Sequence, residues 1–281
     1  MTNLAYFPHP LATVSPRDLM LLELLEPRRT DTALEIGTGS GSSLLRFRQF
    51  VRTMHGADVA RAPVERLRRF LPRFRESGGA LDVFVLDFCD STLPERVSTR
   101  YDLIFSCDTV EHVPHPDRFF ANVYQLLKPG GRAFITFPNE RPARAHGITF
   151  FDGRSTLEAL LTCAGFAPDQ IDIKKVSMCT GARRILRSSW ETPGRAAKRA
   201  LAAINGRSGL RAPQTFDETT FFSLAEQFEP LAPILNAYSW VVLQLMSMMG
   251  PVFRASRADE EIWDTQVLIR ATRPHHRMAG S

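Results

Sequence analysis

The sequence predicts an α/β fold: a mostly parallel sheet of seven strands with helices on both faces, and a helical insertion before the last strand. Three observations predict it. Short apolar runs alternate with helical patterns along residues 31–178, as strands joined by crossover helices do. The third, fourth and fifth runs are continuously apolar, which fits strands buried on both faces. Finally, "DTQVLIRATRP" (264–274) alternates after a long region of different character and returns a seventh strand to the sheet.

Each element follows in order. A helix near 17–26 precedes the first strand, "TALEIG" (32–37). A glycine-rich turn leads into a helix over 42–50 and then the second strand, "TMHGADV" (53–59). The arginine-rich "RAPVERLRRFLPRFRES" places a helix over 61–75, ahead of the third strand, "LDVFVLDF" (81–88). The fourth strand, "YDLIFSCD" (101–108), is followed by a helix over 116–127. "KPGG" (128–131) is expected to end that helix on a glycine cap and turn the chain into the fifth strand, "RAFITFP" (132–138). A helix over 155–164 and a sixth strand, "IDIKKVSM" (171–178), complete this part.

The reading divides the chain into a core over 1–179 with an N-terminal helical cap, an insertion over 180–262, and the final strand and tail over 263–281. Within the insertion, residues 181–211 hold eight basic residues against one acid, Glu191. "FDETTFFSLAEQFEP" (216–230) reads as a capped amphipathic helix, and no charge appears from Pro230 to Phe253. Asn236, Ser239, Gln244 and Ser247 fall on one side of a helix turning about 100° per residue. That polar stripe fits a lid over an apolar pocket better than a membrane span; peripheral membrane contact and a homodimer contact are the other uses of such a face.

Composition sets the outer bounds. A chain of 281 residues can bury a sizeable core, and 44% hydrophobic with 23% charged residues is ordinary for a globular protein. The net charge of +5 comes almost wholly from arginine, much of it on helices. A solvated face accounts for it, with an anionic membrane or nucleic acid as alternatives. Four cysteines stand far apart with no CxxC pair, which argues against zinc and against a disulfide framework. The N-terminus lacks a basic segment followed by an apolar core, so a cytoplasmic setting is expected, with or without peripheral membrane attachment.

The chemistry concentrates in "LEIGTGSGSS" (34–43). A glycine-rich turn between strand and helix usually cradles phosphate. Glu35, two positions before the first glycine, suits instead a ligand carrying positive charge and hydroxyls. The glycines fall as GxGxG rather than the dinucleotide spacing GxGxxG, with Ser42 where the third would belong. Asp58 ends the second strand, where a carboxylate can accept both hydroxyls of a ribose. Asp87 ends the third, followed by Phe88, placed to bond an adenine amine and flank its ring. All these groups sit at carboxyl ends of parallel strands, where open α/β sheets bind ligands.

These residues resemble the class I S-adenosylmethionine-dependent methyltransferases, a Rossmann-like fold. "ALEIGTGSG" looks like their first motif, "GADVA" their second and "VLDFCDSTLP" their third. "YDLIFSCDTVEHVPHPDRFFANVYQLLKPGGRAFITFPN" is similar to the fourth and fifth motifs of the ubiquinone/menaquinone-biosynthesis-like branch, and "TLEALLTCAGF" to the helix that follows. The resemblance covers about residues 17–178 and the closing strand, and leaves out the insertion.

The resemblance implies S-adenosylmethionine as cofactor. Glu35 would face its cationic amino-acid end, with the backbone of Gly37, Thr38 and Gly39 close by. Asp58 would hold the ribose, Asp87 with Phe88 the adenine, the Cys107 backbone would border the methionine moiety, and Val59 is a further cofactor-binding residue. His112, in "VEHVPHP", is the candidate base for an acceptor hydroxyl; a substrate contact and a structural role are its alternatives. His146 is a candidate pocket residue. "SCDT" stands where amino-directed nucleic-acid methyltransferases carry Asn/Asp-Pro-Pro-aromatic, and no Pro-Cys pair exists for cytosine chemistry. Only Glu111 stands where protein-arginine enzymes carry two glutamates, and no clustered acids suggest a magnesium site. A small molecule is therefore the expected acceptor. A noncatalytic S-adenosylmethionine-binding protein and an NAD-linked oxidoreductase remain the competing classes.

Overall fold

The computed structural model describes residues 20–21, 23–39, 41–71, 80–140, 149–181 and 251–275, together with Ile234, Ala237, Val241 and Met248. They fall into two compact units, one of Met1–Leu24 with Met178–Arg254 and one of Leu25–Ser177 with Ala255–Ser281.

The larger unit carries the sheet. Its strands are β1 (Thr32–Ile36), β2 (Thr53–Asp58), β3 (Ala80–Val85), β4 (Tyr101–Cys107), β5 (Leu127–Asn139), β6 (Ile171–Met178), β7 (Phe253–Arg257) and β8 (Thr265–Thr272). The order is β3-β2-β1-β4-β5-β8-β6-β7. β1 pairs in parallel with β2 and β4, and β2–β3 and β4–β5 are also parallel. β8 runs antiparallel between β5 and β6. The strand order reverses at β1, so a ligand crevice opens beyond the carboxyl ends of β1 and β4.

The helices are α1 (Ser42–Phe47), α2 (Arg61–Phe70), α3 (Leu93–Arg96), α4 (Pro116–Leu126) and α5 (Arg154–Ala164). α4 opens on Pro116, whose missing N–H has no partner to lose in a first turn. It buries Phe119, Phe120, Val123 and Leu126, in one core with Leu34 and Ile104 of the central strands and Phe137 of β5. Leu157 and Leu161 of α5 join that core.

Two expectations are corrected. The sheet has eight strands, not seven. The added strand, β7, lies inside the stretch read as a helical insertion; its sequence FRASR buries only Phe253, so it has no apolar alternation to read. The glycines of "KPGG" do not cap a helix. α4 ends at Leu126, and the Leu127 N–H closes it on the carbonyls of Val123 and Tyr124. Gly130 and Gly131 instead form an irregular start to β5, where pairing with β4 jumps between Tyr101 and Leu103. A Cβ on Gly131 would stand 2.8 Å from the carbonyl oxygens of both Lys128 and Tyr101, a crowding that only glycine tolerates in such a bulge.

In the smaller unit, Glu23 accepts the N–H groups of Val252 and Phe253 through Oε2 at 3.0 and 3.1 Å. Burial pushes this carboxyl up, against those two bonds. Most of 180–262, including the amphipathic helix read over 216–230, lies outside the described residues, and so does His146.

Candidate active site

β1 delivers the glycine loop. Glu35 lies one residue before its end and is buried. Gly37, Gly39 and Gly41 take φ values of 77°, 48° and 75°, a left-handed path that side chains disfavour. Gly37 has a second constraint: a Cβ there would overlap the Thr109 side chain, with Cγ2 at 2.9 Å. Thr109 in turn donates through Oγ1 to the Cys107 carbonyl at 3.0 Å. The first glycine thus lets the β1 loop and the end of β4 close on one another. The N–H groups of Gly37 and Thr38 donate to the Ala57 carbonyl at 2.8 and 3.2 Å, which ties the loop to β2.

Asp58 completes that tie. Its Oδ2 accepts the Gly39 N–H at 3.0 Å and its Oδ1 the Ala60 N–H at 2.9 Å. The carboxylate is aimed by two backbone amides, and its remaining lone pairs are available to a ligand. Beside it, Val59 is 67% exposed, an apolar side chain in the open next to an oriented acid. Asp87 is exposed, with Oδ1 accepting the Cys89 N–H at 2.8 Å. Phe88 turns inward: it is buried, its ring centroid 6.1 Å from that of Phe119, so its ring belongs to the core. Thr38 is buried, and its Oγ1 has no hydrogen-bond partner among the described residues.

At the end of β4, Cys107 is buried. Asp108 follows with φ 51°, a left-handed non-glycine residue of the strained kind that collects at functional sites. Its N–H donates to the Thr136 carbonyl at 2.8 Å, and its Oδ1 accepts from Gln266 Nε2 at 3.2 Å. A 3-10 turn, Val110–His112, comes next. His112 is 59% exposed, whereas Glu111 is 2% exposed, with Oε1 3.8 Å from His112 Nε2. Burial, with the charge of Asp108 adding to it, pushes the Glu111 carboxyl up to about 7.

Glu35, Gly37, Thr38, Gly39, Asp58, Val59, Asp87, Cys107 and His112 therefore all stand at or just beyond the carboxyl ends of β1 to β4. Sequence reasoning did not single out Thr109 or Gln266, and it met Glu111 only as half of a missing glutamate pair. Its place next to His112 was the available signal.

A GxGxG loop at the switch point of a parallel sheet, with acids oriented at the ends of β2 and β3, defines the class I S-adenosylmethionine-dependent methyltransferase architecture. The methyltransferase-domain family matches residues 14–171, more than half of the sequence. The chain belongs to that family. It is 27% identical over 135 residues to the ubiquinone biosynthesis O-methyltransferase of Pseudomonas paraeruginosa, a match covering 47% of this chain and 55% of the relative. It is 27% identical over 167 residues to the tRNA U34 carboxymethyltransferase of Pseudoalteromonas translucida, covering 54% and 49%. The chain thus spans about half the length of the curated relatives it matches. Haemonchus contortus phosphoethanolamine N-methyltransferase 2, solved with phosphomonomethylethanolamine and S-adenosylhomocysteine, shares the fold. It superposes with a TM-score of 0.53 at 17% identity, over 92% of this chain and 52% of its own.

Proposed function

We propose that the protein transfers a methyl group from S-adenosylmethionine to a small, apolar or amphipathic acceptor that carries a hydroxyl. The observation that carries this reading is the Gly39–Asp58 hydrogen bond, which welds the glycine loop to the acid at the end of β2. In a loop held this way the amides of Gly37, Thr38 and Gly39 are already bonded, and what faces a ligand is acidic, suited to a ribose diol and a cation. That polarity suits S-adenosylmethionine, which has no phosphate, and not a dinucleotide.

The residues fit the cofactor. Asp58 would accept the ribose hydroxyls and the exposed Val59 would lie against the adenine side. Asp87 would accept the adenine amine, and Phe88 would contribute its backbone. Glu35 would face the ammonium end, Gly37, Thr38 and Gly39 the amino-acid backbone, and Cys107 the methionine chain. Bound there, the cofactor supplies a methyl already activated on a sulfonium. Positioning can therefore provide most of the acceleration. His112, exposed beyond β4, takes the acceptor's proton. The ubiquinone-biosynthesis O-methyltransferase relative supports a hydroxyl acceptor.

We assign 180–262 to acceptor selection, either as a lid or as a face against a membrane surface or a second copy of the chain. Ile234, Val241 and Met248 support it: each is helical and exposed, at 67%, 45% and 82%. No described helix is long and apolar enough to cross a membrane. A cytoplasmic setting is part of the same reading.

The test is a product assay for S-adenosylhomocysteine with a 4-alkylcatechol and with phosphoethanolamine as probe acceptors. The reading expects turnover of the catechol and a loss of about 10²–10⁴-fold in His112→Ala. Turnover of phosphoethanolamine alone would overturn the hydroxyl acceptor. Replacing 182–250 by a short linker, which leaves β7, Ala258 and Ile262 in place, should spare cofactor binding and abolish methylation of the alkylated probe.

A further inference from the structure

Glu111 is a buried acid with one carboxyl oxygen unbonded, although its own backbone N–H supports the carboxyl. It is 2% exposed, and its Oε2 makes no hydrogen bond among the described residues. A carboxylate removed from water without compensation is strongly disfavoured. Buried Asp31, by contrast, has Arg132 at 2.7 Å. The turn that holds Glu111 in place is heavily tied. The His112 N–H donates to the Thr109 carbonyl at 2.9 Å. The Thr149 N–H donates to the Glu111 carbonyl at 2.6 Å, and Thr149 Oγ1 to the Val113 carbonyl at 3.0 Å. The segment after β5 thus pins the backbone of the turn from which the Glu111 side chain projects.

We propose that Glu111 is a positioning residue for His112, its buried carboxylate facing Nε2 so that Nδ1 is the nitrogen left for the acceptor and the charge gained by the ring is balanced. This rests on the reading of His112 as the base. At 3.8 Å the two groups lie beyond hydrogen-bonding distance and interact as charges, which burial of the carboxylate screens less from one another. The balance of the step is simple. The acceptor oxygen forms its bond to the methyl carbon as the carbon–sulfur bond breaks and that electron pair stays on sulfur. The hydroxyl proton passes to Nδ1, and later to solvent. The cationic ring then stands against Glu111 as a carboxylate, whose own proton has already gone to solvent at pH 8, above its value of about 7. Among the described residues, the ionisable groups bearing on Glu111 are Asp108, which opposes its charge, and His112, which favours it when protonated.

The test is a carboxyl-carbon NMR titration of the full chain carrying ¹³C at glutamate Cδ, with Glu111→Gln assigning the resonance. One glutamate is expected to titrate near neutrality and to move to higher pH in His112→Phe, because a cation has been removed. With a 4-alkylcatechol as acceptor, Glu111→Gln should lose about tenfold or more in kcat at pH 8, with the KM for S-adenosylmethionine unchanged. The double variant should lose no more than His112→Phe alone. A Glu111 midpoint unmoved by His112→Phe overturns the pairing whatever the turnover. A moved midpoint with normal turnover in His112→Phe upholds the pairing and overturns the base role instead.

Discussion

At the amino edge of the parallel sheet, Asp31 is paired with Arg132 and Asp102 with Lys128, each at 2.7 Å. Asp102 also accepts the Thr32 N–H at 2.8 Å. At the carboxyl edge, Asp58 and Asp87 meet backbone amides, and neither has a cationic partner among the described residues. Glu111 goes further, with one oxygen unbonded. The same residue types do different work at the two edges. Carboxylates already matched by cations hold strands together. Carboxylates aimed by amides are the ones that the proposed function gives to the diol and the adenine amine of the cofactor.

The largest expected effect comes from Gly37→Val. The new side chain would occupy the space of Thr109 at a left-handed backbone position, costing about 3 kcal/mol of stability. S-adenosylmethionine binding should be lost with it. Thermal melts and calorimetry check both, and a variant that binds normally would break the link drawn between the loop and β4.

Glu111→Gln should act on stability with a sign opposite to most core changes. The Glu111 carboxyl is held up at about 7, so between the ordinary carboxylate range and that value the folded state binds more protons than the unfolded one. Its burial therefore lowers stability progressively as pH rises through this window. The isosteric amide removes that penalty. It should stabilise the protein by roughly 3 kcal/mol at pH 8 and by almost nothing near pH 4.5, as urea titrations at the two values would show. An equal effect at both values would mean that Glu111 does not titrate as described.

The smallest effect is expected at the opposite edge. Lys128→Ala removes a half-exposed ion pair and should cost about 1 kcal/mol or less. Burial raises the Asp102 carboxyl, but the Lys128 bond, the Thr32 N–H and nearby Arg52 together hold it below its usual range. This contribution is present above the unfolded carboxylate's range and is lost as pH falls through the folded one. Urea melts at neutral and acid pH test it, and a large loss at neutral pH would erase the contrast between the edges.

Much of this contrast was legible in the sequence because strand ends are. The strands read at 32–37, 53–59 and 101–108 end within one residue of β1, β2 and β4, which placed Glu35 and Asp58 at the carboxyl edge. What was hidden depends on neighbours distant in sequence. Phe88 reads as an adenine wall, yet Phe119 of α4 draws its ring into the core. Glu111 reads only as half of a missing glutamate pair, and its burial, in a turn whose backbone Thr149 ties down, is set by the segment after β5. "KPGG" looks the same as a helix cap and as a bulge; the approach of the Tyr101 carbonyl decides for the bulge. β7, with one buried residue in five, carries no pattern to detect.

The central claim is that the carboxyl-edge acids, and not those of the amino edge, hold S-adenosylmethionine. Isothermal titration calorimetry of the unaltered protein, Asp58→Ala and Lys128→Ala tests it most directly. The account predicts S-adenosylmethionine binding to the unaltered protein and to Lys128→Ala with the same affinity. For Asp58→Ala it predicts binding weaker by about 2 kcal/mol, or roughly 30-fold, as charge-assisted bonds to the ribose are lost. Equal affinity in Asp58→Ala and the unaltered protein, or binding of NAD in place of S-adenosylmethionine, would contradict it.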